Sequence, residues 1–200
     1  YRRPVDLSRP EELVLDLENN LRAGDWTDQG PVVIREEIPG KGMDLRVWHD
    51  PDDPSTLATL LDGPDDELAP VVSADGKWLA YVSNYSGIDE IFVTAFPEPE
   101  ARYKISMKGG HSPTWAPDGK TLYYFQSSRM IAVTIETEPV FHVTGREELF
   151  EGEYVHYRWS RQYDIHPSGE YFVMIKNPPR GNVEVITRWF DEIQSLTTGD

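Results

Sequence analysis

The side chains in this sequence best suited to chemistry are its histidines, a knot of aspartates, one serine in a Gly-His-Ser context and a surplus of carboxylates. The five histidines, His49, His111, His142, His156 and His166, include no His-Glu-x-x-His and no closely spaced pair. A zinc site would need ligands drawn from far apart in the chain, so no metal site is expected. Asp50, Asp52 and Asp53 cluster, but Pro51 and Pro54 break the Asp-x-Asp-x-Asp-Gly pattern of a calcium loop, and the segment reads as a solvated loop. Gly110-His111-Ser112-Pro113-Thr114 lacks the second glycine of a nucleophile elbow, so Ser112 reads as the entry to a strand. Two carboxylates could act as general acid and base on a glycosidic bond, and Glu67, Asp164, Asp89 and Glu90 are the candidates. That chemistry also needs an apolar, aromatic-lined platform, whereas most acidic residues here fall in turns or polar strands. No catalytic residue and no cofactor are expected.

Charge and composition narrow the partners. The 200 residues carry 35 Asp and Glu against 19 Lys and Arg, a formal charge of −16, which repels a phosphate backbone; nucleic acid is excluded as a partner. With 38% apolar residues the chain can fill a sizeable core, so it is not a disordered segment. There is no cysteine, hence no disulfide framework or thiolate site, a composition that suits either cytoplasm or periplasm. Apolar runs such as Val32 to Ile34 and Leu79 to Val82 fall far short of the roughly 20 residues that cross a bilayer, and no membrane span is expected in this chain. It begins at Tyr1 without an initiator Met or a leader pattern, which suggests a portion of a larger protein.

What must position any site is a repeat. Trp26-Thr27-Asp28-Gln29-Gly30, Val72-Ser73-Ala74-Asp75-Gly76, Trp115-Ala116-Pro117-Asp118-Gly119 and Ile165-His166-Pro167-Ser168-Gly169 share one pattern, with glycines 46, 43 and 50 residues apart. One four-stranded propeller blade occupies about 40 to 50 residues. Each copy offers an Asp or Ser to cap backbone N–H groups and a Gly for positive φ, with Gln29 the weakest copy. After each glycine comes a strand-like run: Pro31 to Ile34, Lys77 to Val82, Lys120 to Phe125 and Glu170 to Ile175. Third strands are expected at Asp44 to Trp48, Glu90 to Phe96, Met130 to Ile135 and Val183 to Ile186. More polar outer strands follow at Thr56 to Leu61, Arg102 to Ser106 and Glu147 to Phe150.

The expected fold is therefore all-β, a partial β-propeller of about four four-stranded antiparallel blades, in preference to a β-sandwich, which has no need of one repeating period. Residues 1–22 read as the end of a preceding blade, 23–62, 63–106 and 107–151 as full blades, and 152–200 as a last partial blade. Phe190, Ile193 and Leu196, three apart, suggest a short closing C-terminal helix. Closed propellers have about 4 to 8 blades, so the ends would have to merge or missing sequence or another chain would supply the remainder. Trp26, Trp78, Tyr81, Trp115, Tyr123 and Phe172 recur at equivalent positions and are expected to pack between blades.

The Ser73 to Tyr81 and Trp115 to Tyr124 segments resemble the TolB-type, WD-repeat-like propeller repeat. Trp78 to Asn84, Glu90 to Pro97, Arg129 to Val133, Leu149 to Gly152 and Val183 to Ile193 are together most similar to the C-terminal propeller portion of bacterial membrane-bound serine/threonine protein kinases. The likeness runs from about residue 12 to residue 196 and departs from the repeat at Gln29 and Ser168. It implies a cytoplasmic kinase and a membrane span ahead of the propeller, and an extracytoplasmic or periplasmic location for the propeller itself. The chain has no Gly-rich phosphate loop, His-Arg-Asp or Asp-Phe-Gly, so a kinase domain is not part of it.

In such a fold the loops between second and third strands and the links between blades share one face. Here that face collects Asn84, Tyr85, Lys108, His111, Arg129, Arg161 and Arg180, a basic and aromatic set in an acidic protein. These are the candidate partner-binding residues, since Arg and Tyr favour binding hot spots. The expected function is non-catalytic docking of a protein or peptide, or ligand sensing. The alternatives are a glycan or lactone hydrolase with channel carboxylates, and the gating propeller of a peptidase.

Overall fold

A computed structural model describes residues 1–27, 30–177 and 184–186, the last three as a strand backbone. Among the described residues fifteen strands form four antiparallel sheets, each in simple sequence order. The first holds β1 (Asn20–Trp26), β2 (Val32–Ile38), β3 (Gly42–Trp48) and β4 (Leu57–Leu61). The second holds β5 (Glu67–Val72), β6 (Trp78–Ser83), β7 (Glu90–Ala95) and β8 (Tyr103–Lys104). The third holds β9 (His111–Trp115), β10 (Thr121–Gln126), β11 (Arg129–Glu136) and β12 (His142–Glu151), and the fourth β13 (Tyr163–Ile165), β14 (Phe172–Lys176) and β15 (Glu184–Ile186).

The repeated turn joins first to second strand in each blade. Asp75 Oδ1 accepts from Lys77 N at 3.1 Å and Asp118 Oδ1 from Lys120 N at 2.8 Å, while Gly76 and Gly119 take φ of 70° and 67°. In the fourth blade Ser168 Oγ does the same work for Glu170 N at 3.3 Å. The Gln29 copy lies outside the described residues.

Side chains on successive residues of a strand point to opposite faces, and here both faces of the middle blades are buried. From β6, Leu79 and Tyr81 join Val33, Leu45 and Val47 of the first blade. Ala80 and Val82 turn the other way, toward Trp115, Leu122 and Tyr124 of the third. From the third blade, Phe125 and Met130 meet Tyr163 and Met174 of the fourth. Each core is thus made between two neighbouring sheets, with β1, β5 and β9 adjacent along the inner edge. That is radial stacking of meanders, an all-β partial propeller.

Three details differ from the sequence reading. The first blade's inner strand begins at Asn20, within the stretch expected to close a preceding blade, while Tyr1 to Pro4 and Glu12 to Leu15 meet only at the Arg2–Glu12 bridge. The segment that follows lies along the outer face of the first sheet, where Leu13, Leu17, Arg46 and Leu57 share a groove and Asn19 Nδ2 donates to Glu36 at 2.8 Å. Second, Trp26 is 63% exposed, whereas its counterpart Trp115 is buried and donates to Val71 O at 3.3 Å. The third blade has the second to lean on, and Trp26 has no such neighbour among the described residues. Third, the ladders shift register within the inner strands at Ala23/Asp25, at Leu68/Val71 and opposite Tyr123/Phe125. In the second and third blades Ala69-Pro70 and Ser112-Pro113 bulge alike, with φ of 46° at Ala69 and 54° at Ser112, and in the first blade the unmatched residue is Gly24, at the position of the two prolines. The expected C-terminal helix over residues 191–196 lies outside the described residues.

Candidate functional site

Antiparallel order puts the β2–β3, β6–β7 and β10–β11 loops on the same face as the β4–β5, β8–β9 and β12–β13 links. The last of these, residues 152–162, is the longest link and acts as a strap across the inner strands. Arg158 at its middle is held by the second blade. Its Nε and Nη2 donate to the two oxygens of Asp89 at 2.8 and 2.7 Å, and Nη1 to Asp66 Oδ2 at 3.2 Å. Arg35 of the first blade donates from Nη1 to Trp159 O. In the third blade Ser112 Oγ lies 3.4 Å from both Tyr157 O and Ser160 O, and Arg161 Nη1 is 3.3 Å from Thr114 Oγ1. One link therefore fastens to three blades before the chain enters the fourth.

Bidentate guanidinium–carboxylate geometry is the strong form of an ion pair, but these side chains are 23–38% exposed. Replacing Arg158 by Ala is expected to cost about 1–2 kcal/mol after allowance for solvent screening. The clearer readout is chymotrypsin, which should cleave after Tyr157 or Trp159 several-fold faster in the variant; unchanged cleavage would show that the clamp does not hold the strap.

The residues singled out from the sequence have unlike surroundings. Tyr85 is exposed, with the Arg102 guanidinium 4.7 Å from its ring centre, and Lys108 is exposed on the next link. Asn84 is half-buried and accepts from Asp66 N at 2.9 Å, a turn-holding role. His111 is half-buried, stacked on His156 at 4.3 Å and on Phe125 at 5.7 Å. Arg129 pairs with Glu148 and Glu151 at 3.5 and 3.7 Å. Arg161 pairs with Asp164 at 3.4 Å and points to the inner strands. Arg180 lies outside the described residues. Among the described residues no hydrogen bond, ion pair or ring contact joins any two of this set. What sequence reasoning missed is an exposed apolar group on the same face: Ile88, Met107, Tyr157 and Trp159 join Tyr85, each about half exposed or more. The signal for two of them was the aromatic pair flanking Arg158 in an unusually long link, and their rings stack at 2°.

The candidate carboxylates do not form an acid/base pair. Asp89 is engaged by Arg158. Glu90 is buried against Ser106 and Lys104, the latter at 2.9 Å; burial opposes its charge, but the bonds from Ser106 and Lys104 hold it below the ordinary carboxylate range. Asp164 is exposed and accepts from Ile165 N at 2.8 Å. Glu67 alone is pushed up, to about 7, by burial. It lies directly opposite Ser83 in the β5–β6 ladder, on the face turned to the first blade. Asp50 and Asp53 serve their own turn, accepting from Asp52 N and Ser55 N at 2.9 Å, and Asp52 pairs with Arg2. Among the described residues no group of three or more His, Asp or Glu side chains is arranged to hold a metal ion. Ser112 is fully buried beneath the strap beside His111 Nδ1 at 3.2 Å.

No protein-family model matches the chain. Over 56 residues it is 34% identical to the Tol-Pal system protein TolB of Desulfotalea psychrophila, a stretch covering 27% of this chain and 13% of that protein. Its fold is similar to that of TolB from Acinetobacter baumannii, with a TM-score of 0.63 at 16% identity over 92% of this chain and 44% of that one. The fold is a TolB-like β-propeller. It is also similar, at a TM-score of 0.58 and 17% identity, to a puromycin-hydrolyzing peptidase of Mycobacterium tuberculosis, over 84% of this chain and 29% of that one. The TolB-like propeller described here thus spans less than half the length of either solved chain. No helix among the described residues is long and apolar enough to cross a membrane.

Proposed function

We propose that this chain is a non-catalytic propeller module that docks a protein or peptide partner on the strap face. The observation that carries the reading is the group Tyr85, Ile88, Met107, Tyr157 and Trp159, exposed together on loops of one face of a highly charged protein. Aromatic and Met side chains ringed by polar residues are the makings of an interface core. Tyr85 and Lys108 belong to it, and Asn84 and His111 stand behind it as supports.

The module forms part of a larger bacterial protein, such as a receptor-type serine/threonine kinase, and works outside the cytoplasm, as the resemblance to such propellers implies. Further blades come from sequence outside this segment or from another chain. The peptidase likeness keeps a gating propeller as the second reading, and Glu67 is the group that favours a hydrolase. Its burial between the first and second blades, only 1% exposed and closed to a substrate, argues against that role.

Photocrosslinking tests the docking surface. With a benzoylphenylalanine placed at Met107, the protein in its own cells should give one discrete crosslinked species. Combining Tyr157→Ser with Trp159→Ser should remove it without moving the melting temperature. A photocrosslinker at Val140, exposed on the opposite face, is the control. Equal yields from both positions, or a product that survives the double substitution, would refute the surface.

A further inference from the structure

Beneath the strap, a cavity of about 230 Å³ opens between the inner strands of the first three blades. The bulges at Gly24, Pro70 and Pro113 form its walls, and Trp159 to Arg161 close one side. Arg35, from the middle of β2, also lines it. We propose that this cavity is a binding site for a small oxyanion, a carboxylate or a phosphate group, gripped by Arg35 and Arg161.

Arg35 is the observation that demands a ligand. It is 8% exposed, yet among the described residues it makes no ion pair. Its Nη1 donates to Trp159 O, and its Nε has no partner at all. A buried guanidinium is normally matched by a carboxylate, because desolvating an uncompensated charge costs far more than a single carbonyl bond returns. The residue directly across the β1–β2 ladder is Arg22, a like charge where opposite charges stabilise a sheet. Arg22 turns to Glu37, 3.8 Å away, and gives Arg35 nothing. Burial and the Arg22 charge both disfavour the protonated Arg35, so its charge is held there against its surroundings.

Arg161 supplies the second cation. Its bond to Thr114 and its pair with exposed Asp164 leave the guanidinium along the cavity wall. One carboxylate, Asp25, also lines the space, but one of its oxygens already accepts from Val72 N at 2.8 Å. In a chain of net charge −16, a cavity edged by two arginines and one engaged aspartate is a positive hollow in an acidic body. The planar fork of Arg matches carboxylate and phosphate oxygens. A cavity of about 230 Å³ has room for a phosphate or a four-carbon dicarboxylate together with water.

The site shares Trp159 with the docking surface but reads out separately, because its test needs no partner. Thermal melting and calorimetric titration of the whole protein with sodium phosphate and with sodium succinate, against sodium chloride at equal ionic strength, read it directly. A saturable rise in melting temperature with one of the two oxyanions and not with chloride is expected; the stronger of the two assigns phosphoryl or carboxylate chemistry. Arg35→Met, which also gives up the bond to Trp159 O, should lose the response to anion whatever its anion-free melting temperature. Arg161→Gln, at a partly exposed position, should fold normally and bind at least tenfold more weakly. A chloride-like response of the parent to both oxyanions overturns the site, as does a full response retained in Arg161→Gln.

Discussion

Replacing Glu67 by Gln is expected to stabilise the protein by about 3 kcal/mol at and above about pH 8, and to change nothing below about pH 4. Glu67 is 1% exposed; one oxygen reaches only Ser83 Oγ, at 3.4 Å, and the other has no partner. Burial pushes its carboxyl from 4.5 up to about 7; the charge of Arg102 pulls the other way, and those of Asp44 and Asp65 add to the rise. The folded protein therefore keeps this proton at pH values where the unfolded chain has lost it. The Glu67 contribution to stability must fall as pH rises from about 4.5 to about 7, and stay low above that. Gln keeps the shape and carries no charge to desolvate, so the variant should lack this loss. Urea denaturation across the range checks it; parallel curves for parent and variant would refute the assignment.

Replacing His111 by Phe should act with opposite sign at another blade interface. Burial, and then the charge of neighbouring His156, drive the His111 imidazole from 6.5 down to about 4. Below about pH 6.5 the unfolded chain binds a proton that the folded one refuses, so stability falls on acidification toward pH 4, by about 3 kcal/mol in all. Phe preserves the stack on Phe125 and His156 and removes the titration. The contributions of Glu67 and His111 nearly cancel between about pH 4.5 and 6.5. Each single variant should then expose the slope of the group that remains, close to 1.4 kcal/mol per pH unit, falling with pH in His111→Phe and rising in Glu67→Gln. Superimposable pH profiles for the two variants would exclude the pairing.

The blades were legible because their signals are local. An Asp two residues ahead of the N–H it caps, followed by Gly, is complete within one turn, and Asp75 and Asp118 behave as their sequence implies. The apolar runs of β6 and β10 pointed to strands buried on both faces, which is where they sit. The bulges were not legible, because they answer to a neighbouring blade: a Cβ on Gly24 would stand 2.7 Å from Val33 O and 2.8 Å from Pro70 Cγ. Nor was the clamp, since Arg158 lies 92 residues from Asp66 and 69 from Asp89. Of the surface residues, Tyr85 and Lys108 face solvent as expected. Asn84 and His111 turned inward because a loop must satisfy its own backbone and cover the end of the strand beside it. Arg35 gave no sign at all: in an alternating strand, a charged residue on the inward face looks like any other until the sheet across from it is known.

An open row of blades that touched only its neighbours would come apart from either end, one sheet at a time, like a short tandem array. The fastening of residues 152–162 to the first, second and third blades changes that expectation. The last sheet cannot peel away without pulling on the first. Amide exchange should consequently report a single shared opening energy for β1, β5 and β9, where an unfastened row would grade from its termini inward.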